Sequence, residues 1–242
     1  MATITAAPSS RSRRPRKRRG WLVRVLMWIV KGVLIFVVVT LLQVCIYRFV
    51  PVPFTLTMLF DPHGMTRHWT PLSDIDANMP RAVIAGEDAK FCSHHGFDVS
   101  AIEKAYKRNE KGGRIRGGST ISQQTAKNVF LWQGGGYVRK ALEAWYTVLI
   151  ETIWGKRRIM EVYLNVAETG IGTYGVNAGA QRYFHHDASN LTPIEAARIA
   201  AVLPLPKVRG AVAPMGFVRR YGNRIAGRIA TIRGGGYDRC LR

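Results

Sequence analysis

A chain of 242 residues with 47% apolar residues can bury one core of ordinary domain size plus appendages, which excludes a second large domain. The formal net charge is +21; eight of the 36 basic residues lie in the first 24 positions, where there is no Asp or Glu, and the remaining 28 basic against 15 acidic residues still balance at +13. Such a remainder calls for an anionic partner, and three cysteines exclude a disulfide framework.

Residues 1–24 read as a basic tail and 25–47 as a membrane helix, since VLMWIVKGVLIFVVVTLLQVCIY carries a single charge, Lys31, near enough to one end to snorkel. A cleaved signal would need a shorter apolar run followed by small residues, and here the run ends in QVCIYRF. The same segment argues against lipoprotein processing at Cys45, because Gln43 and Val44 are not small. The basic tail predicts a cytoplasmic N-terminus, with everything after Arg48 on the far side of the membrane. Cys45 lies in the span, so only Cys92 and Cys240 are available to pair, and the sequence leaves that open.

Residues 48–80 read as a connector and membrane-proximal region; within it VPVPFTLTMLFDPHG predicts extended chain with one short strand or turn. Pro80 opens a helix-compatible segment, PRAVIAGEDAKF. Leu142, Trp145, Tyr146, Leu149 and Ile153 recur at helical spacing and predict a helix over 138–154 that stops at Gly155. Another helix is predicted over 157–165, and a third from Thr192, the N-cap of a TPIE capping box, to a point before Pro204. The two GGGY strings, from Gly134 and Gly234, read as loops rather than repeats, and the scarcity of alternating runs makes the chain mainly α. The main domain is placed at 81–235, followed by a tail at 236–242.

Four short stretches carry chemistry. In EDAKFCSHHGFD, Glu87 to Asp98, a carboxylate beside Val83, Ile84 and Phe91 can have its pKa raised from about 4.3 toward neutrality, as a general base requires. The histidines lack HExxH-type spacing, so backbone bonding in a turn is the better reading than a metal site. In GGSTISQQTAKN, Gly117 to Asn128, Thr120 can cap a helix with Gln123 three residues on, putting Thr120, Gln123, Gln124 and Lys127 on one side. A helix start with amides and a lysine suits a phosphate; a capped, solvated surface helix is the plain alternative, and P-loop spacing is missing. RKALE places Arg139 and Lys140 beside Glu143, which alone would be an ordinary surface ion pair. KRRIMEVYLN interleaves the packing residues Ile159, Met160, Val162 and Leu164 with Glu161, Tyr163 and Asn165.

In this order the four strings resemble the EDxxFxxHxGxD, GGSTIxQQxxKN, RKxxE and KxxIxExYLN motifs of the peptidoglycan glycosyltransferases, family 51 of the glycosyltransferases. ETGIGTYGVNAGAQRYFHH, from Glu168, also resembles the family's next segment, and the likeness runs from about Arg81 to Lys207. The chain looks like a monofunctional member, since nothing reads SxxK or KTG. The resemblance implies a lysozyme-like, mostly α domain behind one N-terminal transmembrane helix, with a small hydrophobic region near the membrane. It implies polymerisation of lipid II into β-1,4 glycan strands with inversion and loss of undecaprenyl pyrophosphate. Glu87 matches the general base and Glu143 the second essential carboxylate, which organises the pyrophosphate directly or through a divalent cation (Mg or Mn), or orients neighbouring cations. Lys127, Arg139 and Lys140 match residues holding the donor phosphates; Ser119, Thr120, Gln123, Gln124 and Asn128 match residues lining or shaping the cleft.

The implied partners are lipid II, the growing strand, the bacterial cytoplasmic (inner) membrane and other wall-synthesis or division proteins, with no nucleic acid. The chain departs from the family pattern at Thr125, in the short WQGGGY loop and in AGAQRYFHH, which bear on loop dynamics more than on the reaction. Two rivals explain less. A lytic muramidase needs an acid in a similar cleft but has no use for several cations. A membrane-anchored basic binding or scaffolding protein explains the charge but, as a nucleic-acid binder, lacks a reading helix or aromatic platform.

Overall fold

A computed structural model describes residues 18–110 and 118–242; most of the basic tail and Gly117, which opens the second motif, lie outside the described residues. The chain divides into two compact units between Gln43 and Val44. The first holds most of helix α1 (Arg18–Phe49), in which Gly20–Phe49 is long and apolar enough to cross a membrane, with a mean hydropathy of 2.7. At 1.5 Å per residue its 30 residues extend about 45 Å, more than the roughly 30 Å of hydrocarbon in a bilayer. The helix exceeds the predicted 25–47 at both ends because nothing in the flanks breaks it until Val50, which Pro51 biases away from helical geometry.

The second unit, Val44–Arg242, begins with the last turn of α1. Three carbonyls at that end are taken by side chains of the domain. Trp154 Nε1 donates to Val44 O at 2.7 Å, and Arg158 donates to Tyr47 O at 2.8 Å and Val50 O at 2.7 Å. Tyr47 lies in the last helical turn, where carbonyls lack intrahelical donors, so its bond to Arg158 also caps the helix. The connector holds a short helix, α2 (Leu56–Leu59), capped by Thr55, and strand β1 (Thr66–Arg67).

Helices α3 (Asn78–Glu87), α9 (Pro193–Val202) and α10 (Gly216–Gly234) pack on one another. Alanines 196, 197, 200 and 201 on α9 are fully buried and let its neighbours approach closely, while Val83 and Ile84 of α3 and Ile225 of α10 fill the seam. Helix α5 (Ile121–Phe130) packs on both α6 (Tyr137–Ile153) and α7 (Gly155–Val166). Helices α4 (Val99–Glu110) and α8 (Val176–Phe184) complete the set. A small sheet of order β1-β3-β2 joins β2 (Glu168–Gly170) antiparallel to β3 (Thr173–Tyr174), which runs parallel to β1 with Thr66 opposite Thr173. The described residues are mainly α, as expected.

The helix predicted from Pro80 starts two residues earlier, at Asn78, since a proline in the first turn removes an N–H that has no partner there. It also ends at Glu87, so DAKF is turn rather than helix. The TPIE box forms as predicted: Glu195 N donates to Thr192 Oγ1 and Thr192 N to Glu195 Oε2. Gly155 ends α6 in a left-handed conformation, φ +75°, and also opens α7. The second GGGY string is not wholly loop, because Gly234 is the last residue of α10. Cys92 and Cys240 are joined in a disulfide, and Cys45 is free.

Candidate active site

Glu87 is the last residue of α3, and its side chain meets α5. Gln124 Nε2 donates to Glu87 Oε2 at 3.1 Å. Burial pushes the Glu87 carboxyl above the ordinary range, and the neighbouring Asp88 charge adds to this; the Gln124 bond and the positive charge of Arg209 oppose it. The result is a carboxylate more basic than an exposed one yet still supported in its ionised form, which is what abstraction of a hydroxyl proton needs.

Asp88 turns the other way. It accepts Ile121 N–H at 3.0 Å and pairs with His94 Nε2 at 2.9 Å. His94 Nδ1 accepts Gly96 N–H at 3.1 Å, so the ring proton sits on Nε2 and is donated to Asp88. Gly96 has φ +91°, and a Cβ there would lie 2.8 Å from Thr147 Cγ2, which accounts for a glycine between His94 and Asp98. The histidine thus serves a turn, as its spacing suggested, and no group of three metal-ligating side chains occurs among the described residues.

Thr120 caps α5 as predicted, with Gln123 N–H donating to its Oγ1 and its own N–H donating to Gln123 Oε1. Its hydroxyl also donates to Gly96 O at 2.6 Å. Both side chains are buried and occupied by the cap. The alternative of a solvated surface helix is corrected here: Ile121, Ser122, Thr125 and Ala126 are fully buried, because α5 is held against α6 and α7.

From the far end of α5, Lys127 and Asn128 face a cleft of roughly 190 Å³ that Glu168 and Tyr174 also line. Glu143 is 2% exposed. It receives Arg139 Nη1 at 2.9 Å and the Lys140 ammonium, which also reaches Ser119 Oγ at 3.5 Å. Burial pushes the Lys127 ammonium below its ordinary pKa, while the Glu143 charge holds it up. Three cations share one carboxylate, leaving two positive charges over for a ligand. That surplus fits a phosphate group. It does not fit a resident divalent cation at Glu143, whose oxygens already accept from Arg139 and Lys140.

The structure therefore joins Glu87 at the end of α3 to Gln124 on α5, turns Lys127 and Asn128 to the cleft, and gathers Ser119, Arg139, Lys140 and Glu143 into one cluster; Thr120 and Gln123 sit behind them as the cap. Sequence reasoning missed Arg209, which acts on Glu87 from beyond α9 and is held by a bond to Ala201 O at 2.9 Å and by the Phe217 ring. It missed Tyr221, whose hydroxyl donates to Gly86 O at 2.6 Å. Neither falls in a periodic or motif position that marks it.

Residues 55–229 match the family model described as Transglycosylase. A biosynthetic peptidoglycan transglycosylase of Caulobacter vibrioides is 50% identical over 211 residues, covering 86% of this chain and 92% of the relative. Relatives of the same name from Xanthomonas axonopodis pv. citri and Bdellovibrio bacteriovorus are 50% and 49% identical, covering 85% and 84% of this chain and 86% and 85% of theirs. With half-buried Glu87 and the cation cluster falling inside the matched span, the chain belongs to the transglycosylase family.

Proposed function

We propose that this transglycosylase polymerises lipid II into β-1,4-linked peptidoglycan strands, with inversion and release of undecaprenyl pyrophosphate. The observation that supports this most is the pairing of a half-buried, basic carboxylate at Glu87 with a cluster around Glu143 that carries two surplus positive charges. Relatives about half identical in sequence bear the name biosynthetic peptidoglycan transglycosylase, and a lytic enzyme would have no use for that surplus.

In this reading the 4-hydroxyl of the acceptor lipid II gives its proton to Glu87 as its oxygen attacks the anomeric carbon of the growing strand from the face opposite the pyrophosphate. The glycosidic bond forms as the carbon–phosphate oxygen bond breaks. Negative charge builds on the departing pyrophosphate, so Lys127, Arg139 and Lys140 stabilise the transition state more than the ground state. Glu143 keeps Arg139 and Lys140 in place and supplies no proton. Asn128 lines the cleft beside Lys127, Ser119 meets the Lys140 ammonium and Gln124 meets Glu87, and Thr120 and Gln123 fix the helix that carries Gln124, Lys127 and Asn128.

Helix α1 anchors the enzyme in the cytoplasmic membrane, N-terminus inside and the domain on the extracytoplasmic face, where both lipid-linked substrates are confined to the same surface. The full-length protein in detergent, given labelled lipid II, is expected to yield a polymer that a muramidase digests, together with one lipid pyrophosphate per bond formed. Binding without polymer would instead favour a scaffolding role.

A further inference from the structure

Three of the four motifs meet at Gln124. Its Nε2 donates to Glu87 Oε2 at 3.1 Å, and its Oε1 accepts the hydroxyl of Tyr163 at 3.3 Å. Tyr163 projects from α7, is 1% exposed, and has its ionisation pushed well up by burial, so it stays an O–H donor. A glutamine amide has one accepting and one donating end. The phenol oxygen could also accept from the NH2, but its own proton would then lose the acceptor it has in Gln124 Oε1, so only one orientation satisfies both neighbours: carbonyl to the phenol, NH2 to the carboxylate. The reverse orientation would set the amide oxygen against Glu87 Oε2, which is tolerable only when Glu87 is protonated and cannot act as a base.

We propose that Tyr163 is a positioning residue for glycosyl transfer, holding the Gln124 amide so that its NH2 faces Glu87. The proposal rests on Glu87 being the general base. The tyrosine of the YLN string thereby does more than pack, since a buried phenol two hydrogen bonds away from the carboxylate keeps the base ionised without touching substrate. Other charged or titratable groups near Glu87 are Asp88 in the adjoining turn, Arg209 beyond α9 and Tyr221 on α10, and none of them bonds to the amide. In their unchanged presence, freeing the amide removes a bond that favours the charged carboxylate and raises the Glu87 pKa.

The test is the pH dependence of lipid II polymerisation by full-length Tyr163→Phe, Gln124→Ala, the double variant and Glu87→Gln, beside wild type. Tyr163→Phe is expected to lower kcat by about tenfold, less than the roughly 10²–10⁴ that a lost general base costs, and to move the acidic limb of kcat/KM to higher pH. In the Gln124→Ala background the same change should add almost nothing, because Tyr163 acts only through that amide. A uniform loss at all pH values, or equal effects with and without Gln124, would overturn the proposal. If Tyr163→Phe does not fold, Gln124→Asn, too short to span both partners, must show the same limb shift, and its absence is equally decisive. An active Glu87→Gln would instead remove the base assignment itself, a separate failure visible in the same data.

Discussion

Asp88 accepts the backbone N–H of Ile121, so the carboxylate next to Glu87 closes the N-terminus of the helix that delivers Gln124 and Lys127. One turn of chain therefore fixes both Glu87, the proposed base, and the start of α5. A negative charge at that end also complements the helix dipole. Asp88→Asn keeps an acceptor but loses the charge, and is expected to cost about 1–2 kcal/mol, read as a fall in Tm with reduced activity.

Glu87 contributes negatively to stability at neutral pH. Its folded pKa is raised, chiefly by burial, so the ionised form is less favourable in the fold than in the unfolded chain. Below the ordinary carboxylate pKa the group is protonated in both states and costs nothing. As pH rises through the unfolded and then the folded pKa, stability is lost. Glu87→Gln should accordingly melt higher than wild type at neutral pH, with the difference vanishing in acid, while polymerisation is abolished.

At Glu143 the opposite sign is expected. Removing a buried carboxylate that two cations contact leaves uncompensated charge, a change that typically costs about 3–5 kcal/mol. Glu143→Ala should lower both Tm and activity. Lys127→Met, by contrast, removes a cation desolvated in the cleft and should leave Tm nearly unchanged or higher while lowering kcat, because in the proposed mechanism the lost interaction is strongest with the leaving group.

The disulfide between Cys92 and Cys240 ties the turn after Glu87 to the C-terminal segment, which is held as well by Arg81 Nε on Asp238 at 2.8 Å and Arg157 on Leu241 O at 3.1 Å. The bridge spans 148 positions. Cys92→Ser with Cys240→Ser, or reduction of the wild type, is expected to cost about 2–5 kcal/mol in denaturant unfolding.

Much of the site was legible because its chemistry sits in short local strings. The capping box at Thr120 and Gln123 and the i,i+3 and i,i+4 cluster of Arg139, Lys140 and Glu143 follow from helical spacing alone, and both form. Burial was not legible. Nothing in ISQQTAKN announces that the helix is packed on two others, and an ion pair such as RKALE looks the same whether Glu143 is exposed or enclosed. Contacts between distant strings were equally hidden: Arg209 acts on a residue 122 positions away, and the Tyr163–Gln124–Glu87 relay joins three elements. Helices α8 and α10 escaped because glycine, asparagine and arginine interrupt their apolar faces, and packing on α9 supplies what propensity does not.

The central claim is tested most directly by giving labelled lipid II to full-length wild type and Glu87→Gln side by side and resolving the products before and after muramidase. Muramidase-sensitive polymer from wild type and none from a folded Glu87→Gln is the predicted result. Equal polymer from both, or none from a folded wild type, would contradict the account.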